Sequence, residues 1–325
     1  MAERTPEISV VVPSHDRPLR LRWLLNALEA QTLPRDRFEV IVGHDSSGPE
    51  TEELLRTHPL ALDGTLRDVA LPPGSAPPGR NRNAAWRLAR APVIAFTDDD
   101  CRPPADWLEQ ALRAAREHPG AIVQGRTMPD PVEVASDMAW VRKSQWVPSP
   151  PTPWCEACNI IYPRAVLESV GGFDETMYVG EDTDLALRAR EAGTGYVGDA
   201  AVETFHAIDQ ITLIDAVRGA QRWSGLAELV RRHPQMRDEF PMWIFWRRTH
   251  FWLLFAIAAW FLERRSRAWG LLAVPYVVHA LPTHHSHKPR GRLRALLGLP
   301  HQVAIDVAEM VALVRGSIRH RKLML

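Results

Sequence analysis

The sequence predicts an α/β protein with a mostly parallel sheet flanked by helices, followed by a helical C-terminal extension. Strand-like and helix-like patterns alternate along the first hundred residues, which is typical of a parallel sheet covered by helices on both faces. Turn-forming residues follow the strand-like runs directly. From about residue 210 the pattern becomes helical, so we expect a separate helical region there.

The first half of the sheet is predicted by short apolar runs. The first strand is Ile8–Ser14, a β-branched run that stops at Pro13. A helix follows, with its leucines between residues 21 and 28 on one face. The next predicted elements are a strand at Phe38–Val42, an edge strand at 65–71, a helix within 79–91 and a central strand at 93–97.

Polar residues follow three of these strands. In open α/β sheets, ligands bind beyond the carboxyl ends of the strands. Ser14–Arg17, Asp45 and Asp98–Asp100 all fall at that edge. We therefore expect them to converge in space, although they lie far apart in the sequence.

The rest of the α/β region contains a long Pro-rich loop. We predict a helix at 104–117, a strand at 121–128 and an irregular segment at 129–155. A loop of this length within a compact domain is usually functional or mobile. Its tryptophans fit either sugar stacking or hydrophobic anchoring of the loop. Beyond it the sequence predicts a strand from residue 159, a short helix, and a helix at 182–192 that ends at Gly193. The tryptophans are Trp140, Trp146 and Trp154.

Two apolar runs stand out in the C-terminal region, Thr249–Leu262 and Ala268–Leu281. A helix of that length spans about 21 Å, short of the roughly 30 Å hydrocarbon core of a bilayer. With tryptophans and arginines around them, the runs fit an interfacial or re-entrant hairpin. The alternative is two buried helices of a soluble bundle, and we favour membrane association. Residues 283–292 suit metal binding or contact with an anionic lipid surface, but a solvated basic loop is favoured.

Composition excludes several classes of protein. The chain has 39 basic and 39 acidic residues, which argues against a globally basic nucleic-acid binder. Three cysteines are too few for a disulfide scaffold and suit a reducing compartment. Cys155 and Cys158 have zinc-ligand spacing, but a structural zinc site needs four ligands, so packing cysteines are favoured. The N-terminus lacks a signal-peptide pattern, so we expect a cytoplasmic active domain.

Three consecutive carboxylates, Asp98, Asp99 and Asp100, follow the strand at 93–97. Carboxylates at a strand end in a cleft are tolerated if a divalent cation compensates them, and Mg²⁺ and Mn²⁺ prefer oxygen ligands. The alternative is a solvated turn whose aspartates cap the next helix. The cluster taken alone favours metal only slightly.

The segment "GRNRNAAWRLARAPVIAFTDDDCRPPADWLEQ" resembles the family 2 glycosyltransferases, which are inverting nucleotide-sugar enzymes with a GT-A fold. That family has an Arg-Asn pair, a helix, an apolar strand and an Asp-x-Asp motif. Arg82 and Asn83 fall in the Arg-Asn register, while residues 80 and 81 form an out-of-register copy. Asp98 and Asp100 match the outer aspartates, and Asp99 lies between them. The resemblance extends from about residue 8 to residue 206.

The resemblance also implies a nucleotide site. It places Pro13, Ser14 and Asp16 against the nucleoside and Arg17 near it. Asp45 matches an aspartate that commonly accepts the N3–H of uracil, which thymine shares. His44 and Ser46 depart from the family's usual Asp and Gly, which weakens the identification of the base but not of the fold. A guanidinium matches phosphate oxygens, so Arg82 is expected at the diphosphate. Asn83, Asp98 and Asp99 are also expected at the nucleotide-sugar.

The stretch from Asn159 to Gly193 resembles the family's acceptor segment. Inversion needs a base for the acceptor hydroxyl proton, and Asp182 is the first candidate, with Glu181 next. The alternative role for Asp182 is helix N-capping with a favourable charge–dipole interaction, and both roles can hold together. His206 stands where many GT-A enzymes place a late metal-binding histidine; a structural histidine is the alternative. Asp100 is the first choice as direct metal ligand, with Asp98 beside it.

The resemblance therefore implies a metal-dependent glycosyltransferase of hexosyltransferase type, with Mn²⁺ or Mg²⁺ as cofactor and a nucleotide-sugar, UDP-sugar first, as donor. The acceptor would be a carbohydrate, a lipid-linked or a small molecule, and nucleic acid is not expected. We expect a GT-A domain at 1–208, with halves at about 1–100 and 101–208, and a helical region at 209–325. Association with the cytoplasmic face of the membrane is expected. The alternatives are a sugar-phosphate nucleotidyltransferase and a non-catalytic GT-A-like binding protein.

Overall fold

The computed structural model describes residues 5–74, 77–134, 141–262, 264–281 and 289–325. These residues form two compact units that divide between residues 209 and 210, and the short strand at 141–143 belongs to the second unit. The expected division into a GT-A domain at 1–208 and a helical region at 209–325 stays a prediction. Trp140 and most of residues 283–292 lie outside the described residues.

Strands and helices alternate through the first unit and helices fill the second. The strands are β1 (Ile8–Ser14), β2 (Phe38–His44), β3 (Leu66–Ala70), β4 (Val93–Thr97), β5 (Cys101–Arg102), β6 (Ile122–Pro129), β7 (Val141–Lys143), β8 (Asn159–Pro163), β9 (Tyr196–His206) and β10 (Asp209–Ile211). The helices are α1 (Pro18–Glu29), α2 (Pro49–Thr57), α3 (Pro59–Leu62), α4 (Pro78–Trp86), α5 (Trp107–Glu117), α6 (Pro131–Val134), α7 (Arg164–Val170), α8 (Glu181–Glu191), α9 (Leu213–Gly219), α10 (Leu226–Arg232), α11 (Arg248–Leu262), α12 (Val274–Ala280) and α13 (Pro289–His320).

An eight-stranded sheet forms the centre of the first unit, in the order β3-β2-β1-β4-β8-β6-β9-β5. Four of its seven strand pairings are parallel. The other three, β4–β8, β6–β8 and β5–β9, are antiparallel. The predicted α/β class is confirmed, and residues 65–71 contribute the predicted edge strand as β3. Because β1, β2 and β4 are parallel, their carboxyl ends meet at one edge.

Helix α1 covers one face of the sheet with the predicted leucine stripe. Leu21, Leu24, Leu25 and Leu28 are fully buried and pack in one cluster with β-branched residues of β1 and β2. Burying each of these side chains contributes roughly 1.5–3 kcal/mol. On the opposite face, the ring of Phe96 meets two other aromatic rings edge to face. Their centroids lie 5.9 Å away for Tyr162 and 5.2 Å away for Phe173.

The Pro-rich loop packs against the sheet over part of its length. Val147 bridges to Thr127 on β6, and Pro150 lies against Gly198 on β9. A Cβ at Gly198 would lie 2.1 Å from the carbonyl carbon of Pro150, so only glycine allows this approach. Trp146 is exposed. The buried Val147 and the close approach at Gly198 anchor this loop, and sugar stacking by its tryptophans stays a prediction.

The apolar runs of the second unit form helices. Thr249–Leu262 lies in α11, whereas Ala268–Leu281 divides into a 3-10 helix at Arg267–Ala273 and α12. Three residues of α11 are buried, His250, Leu253 and Ala259, and both the membrane-associated hairpin and the soluble bundle stay predictions. One further helical stretch among the described residues, Leu296–His320 of α13, is long and apolar enough to cross a bilayer by length and composition. Sequence reasoning did not single it out.

Candidate active site

The three consecutive aspartates lie in a tight turn between β4 and β5. Cys101 on β5 pairs with His206 on β9, which brings the end of β9 beside the turn. The backbone N–H of Ala207 donates to the carbonyl oxygen of Asp100 at 2.9 Å, and that of Cys101 donates to the carbonyl oxygen of Asp98 at 3.1 Å. The turn is therefore held by the sheet itself, at the carboxyl edge predicted for ligands.

Each aspartate of the turn has a different side-chain partner. Arg82 Nη2 donates to Asp98 at 2.8 Å, and Ser14 Oγ donates to Asp99 at 2.8 Å. Arg17 Nη1 donates to Asp100 at 2.7 Å. These contacts confirm that the polar ends of β1 and β4 converge. They also explain how adjacent carboxylates coexist, because each is neutralised or hydrogen-bonded by a group from another part of the chain. Arg17 Nη2 additionally lies 3.6 Å from Asp209.

The three carboxylates titrate differently. Burial, followed by the negative charge of Asp100, raises the pKa of Asp99 to about 7. Burial also raises the pKa of Asp100. For Asp98 burial is also the largest influence and acts in the same direction, but the charges of its basic neighbours, Arg82 first, together with the Arg82 hydrogen bond, outweigh it and lower the pKa. Asp98 is thus the carboxylate that stays ionised most readily near neutral pH.

His206 and Asp100 form a site that fits a cation. The Nδ1 atom of His206 lies 2.8 Å from the carbonyl oxygen of Ala207, so Nδ1 carries a proton and the second ring nitrogen, Nε2, is turned towards Asp100. That Nε2 lies 3.3 Å from Oδ1 of Asp100. Two acceptor atoms this close require a proton or a cation between them. One imidazole nitrogen with carboxylate oxygens is a donor set that suits Mn²⁺, and the oxygens suit Mg²⁺.

Cys101 lies beside Asp100 and His206, where its sulfur is close enough to share a metal ion, but its chemistry does not suit one. Its thiol is buried and lies 3.6 Å from the carbonyl oxygen of Cys158, and burial raises its pKa well above the usual range. A protonated thiol is a poor ligand. Cys155 and Cys158 are also buried and free, so the packing interpretation of the cysteines is supported.

The loop after β1 is fastened to the loop after β2. Asp16 has a positive φ of 48°, and its carboxylate accepts hydrogen bonds from the N–H of Ser47 at 2.7 Å and from its hydroxyl at 2.8 Å. These bonds lower the pKa of Asp16. Pro13 pairs with Gly43 inside the sheet. Both predicted nucleoside residues therefore shape the backbone of the edge.

Asp45 lies at the same edge with an unexpected partner. Its Oδ1 accepts from Asn81 Nδ2 at 2.9 Å and lies 3.0 Å from Nδ1 of His15. Sequence reasoning set Asn81 aside, although its place in the repeated Arg-Asn pair was a signal. A Cβ at Gly43 would lie 2.1 Å from the backbone oxygen of Asn81, so the glycine lets α4 approach β2 closely. His44, which stands where the family usually has an aspartate, is buried, and its Nε2 atom lies 3.6 Å from Asp68.

Arg82 joins the two halves of the site. Besides Asp98, its guanidinium donates through Nη1 to Glu181 at 2.9 Å. Burial opposes the charged form, but Asp98 and Glu181 raise the pKa of Arg82, so it stays protonated. Among the described residues, the buried Nε of Arg82 and Oδ1 of Asn81 have no hydrogen-bond partner. Such atoms are costly to leave unpaired and are natural contacts for a polar ligand.

The side-chain amide of Asn83 is hydrogen-bonded to other groups of the protein. Its Nδ2 donates to the carbonyl oxygen of Phe173 and to Glu175, both at 2.9 Å. Its Oδ1 accepts from the N–H of Phe173 at 3.0 Å and from Trp86 Nε1 at 2.8 Å. Asn83 therefore ties α4 to the Gly-Gly-Phe-Asp-Glu turn, and it is not brought to the aspartates.

Asp182 and Glu181 open helix α8, which lies in the stretch predicted to be the acceptor segment. The N-cap position is occupied by Gly180, with φ 76°, so Asp182 is not the capping residue, although its charge still lies in the first turn. Its Oδ1 accepts from the N–H of Thr183 at 2.8 Å and its Oδ2 from the N–H of Ala157 at 3.3 Å. Burial, and then the charge of Glu181, raises its pKa to about 8. A carboxylate with a pKa this close to neutral can take up a proton.

The Pro-rich loop borders this carboxylate. Thr183, the residue that follows Asp182, donates through Oγ1 to the carbonyl oxygen of Trp154 at 2.7 Å. Asn159, at the start of β8, is fully engaged: Nδ2 donates to the carbonyl oxygens of Arg126 at 2.9 Å and Val202 at 2.8 Å. The loop therefore forms one wall beside Asp182, and Asn159 fixes the sheet beneath it.

A model of the family described as "Glycosyl transferase family 2" matches residues 9–148, and one described as "Glycosyl transferase family group 2" matches residues 93–283. The glycosyltransferase AglE of Haloferax volcanii is 25% identical over 197 residues, which cover 59% of this chain and 64% of AglE. The chain thus matches less than two thirds of that relative's length.

Solved structures share the fold. The mannosyltransferase PcManGT from Pyrobaculum calidifontis, in complex with GDP-Man and Mn²⁺, aligns with a TM-score of 0.58 and 20% identity, over 96% of this chain and 87% of that one. TarS residues 1–349 of S. aureus, in complex with UDP-GlcNAc, align with a TM-score of 0.52 and 15% identity, over 97% and 92%. These likenesses show a GT-A fold.

Proposed function

Because this chain belongs to glycosyltransferase family 2, we propose that it transfers a sugar from a nucleotide-sugar to an acceptor hydroxyl with inversion. The donor that we favour is a UDP-sugar. One observation carries the proposal. Arg82 contacts Asp98 on the donor side and Glu181 on the acceptor side, so one buried cation links the acidic turn to the carboxylate pair that opens α8. Residues of both sides of a transfer reaction are thereby held together.

We infer that Asp98, Asp100 and His206 hold the divalent ion, Mn²⁺ or Mg²⁺. The 3.3 Å distance between Nε2 of His206 and Oδ1 of Asp100 supports this pair, and Asp98 is added from the resemblance to the family's Asp-x-Asp motif. When bound, the ion supplies positive charge that offsets the charge developing on the leaving diphosphate. Arg17 contacts Asp100 in the free protein, and its half-exposed guanidinium is free to turn towards a phosphate.

The donor nucleotide is proposed to lie along the ends of β1 and β2. The groups that support this position are the carboxylate of Asp45 and the unpartnered Oδ1 of Asn81. Ser14 holds Asp99 in place through its hydroxyl. The neighbouring structures hold different donors, UDP-GlcNAc in TarS and GDP-Man in PcManGT. We favour uridine because Asp45 can accept the N3–H of uracil.

Asp182 is proposed as the base that removes the proton of the acceptor hydroxyl, with Glu181 holding Arg82. A base works best when its pKa lies near the working pH, and burial raises that of Asp182 to about 8. In an inverting reaction the acceptor oxygen attacks the anomeric carbon from the face opposite the nucleotide. Asp182 and the aspartate turn, joined through Arg82, would flank that carbon.

The acceptor is proposed to be a carbohydrate, a lipid-linked or a small molecule used at the cytoplasmic face of a membrane. Residues 1–208 would act as the GT-A domain and residues 209–325 as the membrane-facing region.

The proposal is tested by thermal shift with a panel of nucleotide-sugars, with and without Mn²⁺, followed by product analysis. We expect a metal-dependent stabilisation by one donor and release of its nucleoside diphosphate with an inverted linkage. Pyrophosphate release from a nucleoside triphosphate and a sugar phosphate would instead identify a nucleotidyltransferase. Absence of binding to every donor with either metal would identify a non-catalytic protein.

A further inference from the structure

The helices of the second unit carry charged residues inside. His250 on α11 and Asp306 and Glu309 on α13 have exposed fractions of 0%, 0% and 3%. Nε2 of His250 lies 3.2 Å from Oε2 of Glu309, and the hydroxyl of Tyr276 on α12 donates to Asp306 at 3.0 Å. This polar cluster joins the three helices from within the unit.

The same helices carry apolar residues outside. On α11, Trp260 and Phe261 are both 65% exposed, and three further large apolar residues are exposed. At 100° per residue, these five positions span about 220° of the helix circumference. On α13, four aliphatic residues repeat at intervals of four, three and four residues and form one exposed stripe. The exposed residues are Leu254, Phe255 and Ile257 on α11 and Val307, Val311, Val314 and Ile318 on α13.

This inverted arrangement is costly in water, because each exposed Å² of apolar surface forgoes about 25 cal/mol of burial. Large exposed apolar patches mark surfaces that contact another phase or a partner. A flat protein partner covers one side of a helix, whereas α11 exposes apolar residues around more than half of its circumference. A fluid hydrocarbon medium can cover all of them.

The segment between α11 and α12 carries positive charge. Arg264, Arg265 and Arg267 are exposed beside Trp269, which is also exposed. Basic residues next to an apolar helix bind the phosphates of anionic lipids, and tryptophans favour the headgroup level. The charge of this segment therefore matches an anionic bilayer surface.

We propose that α11, α12 and α13 form a lipid-docking surface that lies in the interface of an anionic membrane without crossing it. The apolar side chains enter the acyl-chain boundary while the arginines reach back to the headgroup phosphates. Helix α11 has 15 residues and spans about 22 Å, which is shorter than the hydrocarbon core. Because α11 and α12 supply the partners of Asp306 and Glu309, α13 stays with them in the plane.

The inference extends the membrane association included in the proposed function, on which it rests, but it can fail while glycosyl transfer stands. Flotation of the full chain with phosphatidylcholine vesicles, with and without 30% phosphatidylglycerol, tests it, while nucleoside diphosphate release is measured on the same samples. We expect binding to the anionic vesicles that weakens with salt. Replacing all three arginines by Gln should lower the partition coefficient about a hundredfold, at roughly fivefold per residue.

A second variant tests the apolar face. Trp260→Ser with Phe261→Ser should abolish vesicle binding while donor-induced thermal stabilisation stays unchanged, because both side chains are exposed. Leu62→Ser, at an exposed position of the first unit, is the matched control and should bind like the unaltered chain.

Other outcomes would overturn the proposal. If the apolar double variant binds vesicles as well as the unaltered chain, or if no flotation occurs with either vesicle, these helices do not form a lipid-docking surface. A dimer in sedimentation velocity that the double variant converts to monomer, without flotation, assigns the face to a second copy. Retention of the chain in vesicles after alkaline carbonate extraction contradicts docking in the plane and indicates spanning.

Discussion

Nη1 of Arg82 lies 2.9 Å from Oε1 of Glu181, across 99 residues of sequence. Both side chains are buried, and the same guanidinium reaches Asp98. The pair therefore couples the order of the acidic turn to the start of α8. Removing one member of a buried ion pair leaves the other charge uncompensated, at a cost of about 3–5 kcal/mol.

Replacing Arg82 with Lys should lower both stability and activity, because an ammonium cannot reach two carboxylates with the planar fork of a guanidinium. We expect a lower melting temperature and at least a hundredfold lower kcat. Calorimetry and initial rates measure the two effects. Arg80→Lys on the same helix is the control, since Arg80 is exposed and should tolerate the change. Full activity in the Arg82 variant would show that the bridge is dispensable.

Replacing Asp182 with Asn should lower kcat by about 10²–10⁴, the range for loss of a positioned general base. The donor dissociation constant, measured by calorimetry, should change little because Asp182 is proposed to contact the acceptor and not the donor. Glu181→Gln, which weakens the contact with Arg82, should affect donor binding as well. If Asp182→Asn turns over normally, the base lies elsewhere.

In the absence of metal, the stability that Asp99 and Asp182 contribute should decline as pH rises from about 4 to about 8. Asp99 and Asp182 have pKa values raised to about 7 and about 8, above those of an unfolded aspartate. In that interval the folded state holds more protons than the unfolded state. The contribution of these two groups to the free energy of unfolding is therefore fully present below pH 4 and declines as each group ionises. Melting temperature against pH in EDTA measures this. The Asp99→Asn, Asp182→Asn double variant should show a flatter profile, and an unchanged slope would contradict the two pKa shifts.

Replacing His206 with Ala should weaken Mn²⁺ binding by about 10–100-fold, comparable to the loss of a supporting group in a metal site. Electron paramagnetic resonance of Mn²⁺ gives the free ion concentration directly. His118→Ala, at the end of α5 and away from the aspartate turn, is the control. Equal Mn²⁺ affinity in both variants would leave His206 a structural residue, the alternative its strand-end position allows.

Replacing Asp45 with Asn should weaken UDP binding by about tenfold or more. The variant loses a buried acceptor held by Asn81 and His15, and a hydrogen bond to a charged group contributes about 1.5–3 kcal/mol. Titration calorimetry with UDP measures the change. Asp68→Asn, on the neighbouring strand β3 and half-exposed, should bind UDP normally. A preference for GDP over UDP in the unaltered chain would contradict the role given to Asp45.

Much of the fold is readable from the sequence because its signals are local. Apolar runs of five to seven residues, the leucine stripe of α1 and the polar residues at strand ends predicted β1, β2, β4 and the edge where ligands bind. The resemblance to a family added a direction for the chemistry, and the family match supports it. Local patterns are sufficient here because burial on both faces demands continuous hydrophobic residues.

Side-chain partners were less predictable. Asn81 and Asn83 have the same local context, yet only packing against β2 turns Asn81 to Asp45 while Asn83 is drawn to Phe173. Likewise the local pattern suggested Asp182 as a helix cap, whereas the left-handed Gly180 takes that position. Two residues apart on a helix differ in direction by about 200°, and which direction is useful depends on the neighbours.

The sequence by itself determined that the chain is an α/β protein whose strands end in acidic and polar residues, since composition and period are properties of the chain alone. Only the tertiary structure decided that Asp98, Asp99 and Asp100 face three different partners, and that Asp306 and Glu309 turn inward while their aliphatic neighbours turn out. The physical reason is that charge compensation acts over a few ångströms, between residues that folding brings together from distant parts of the chain.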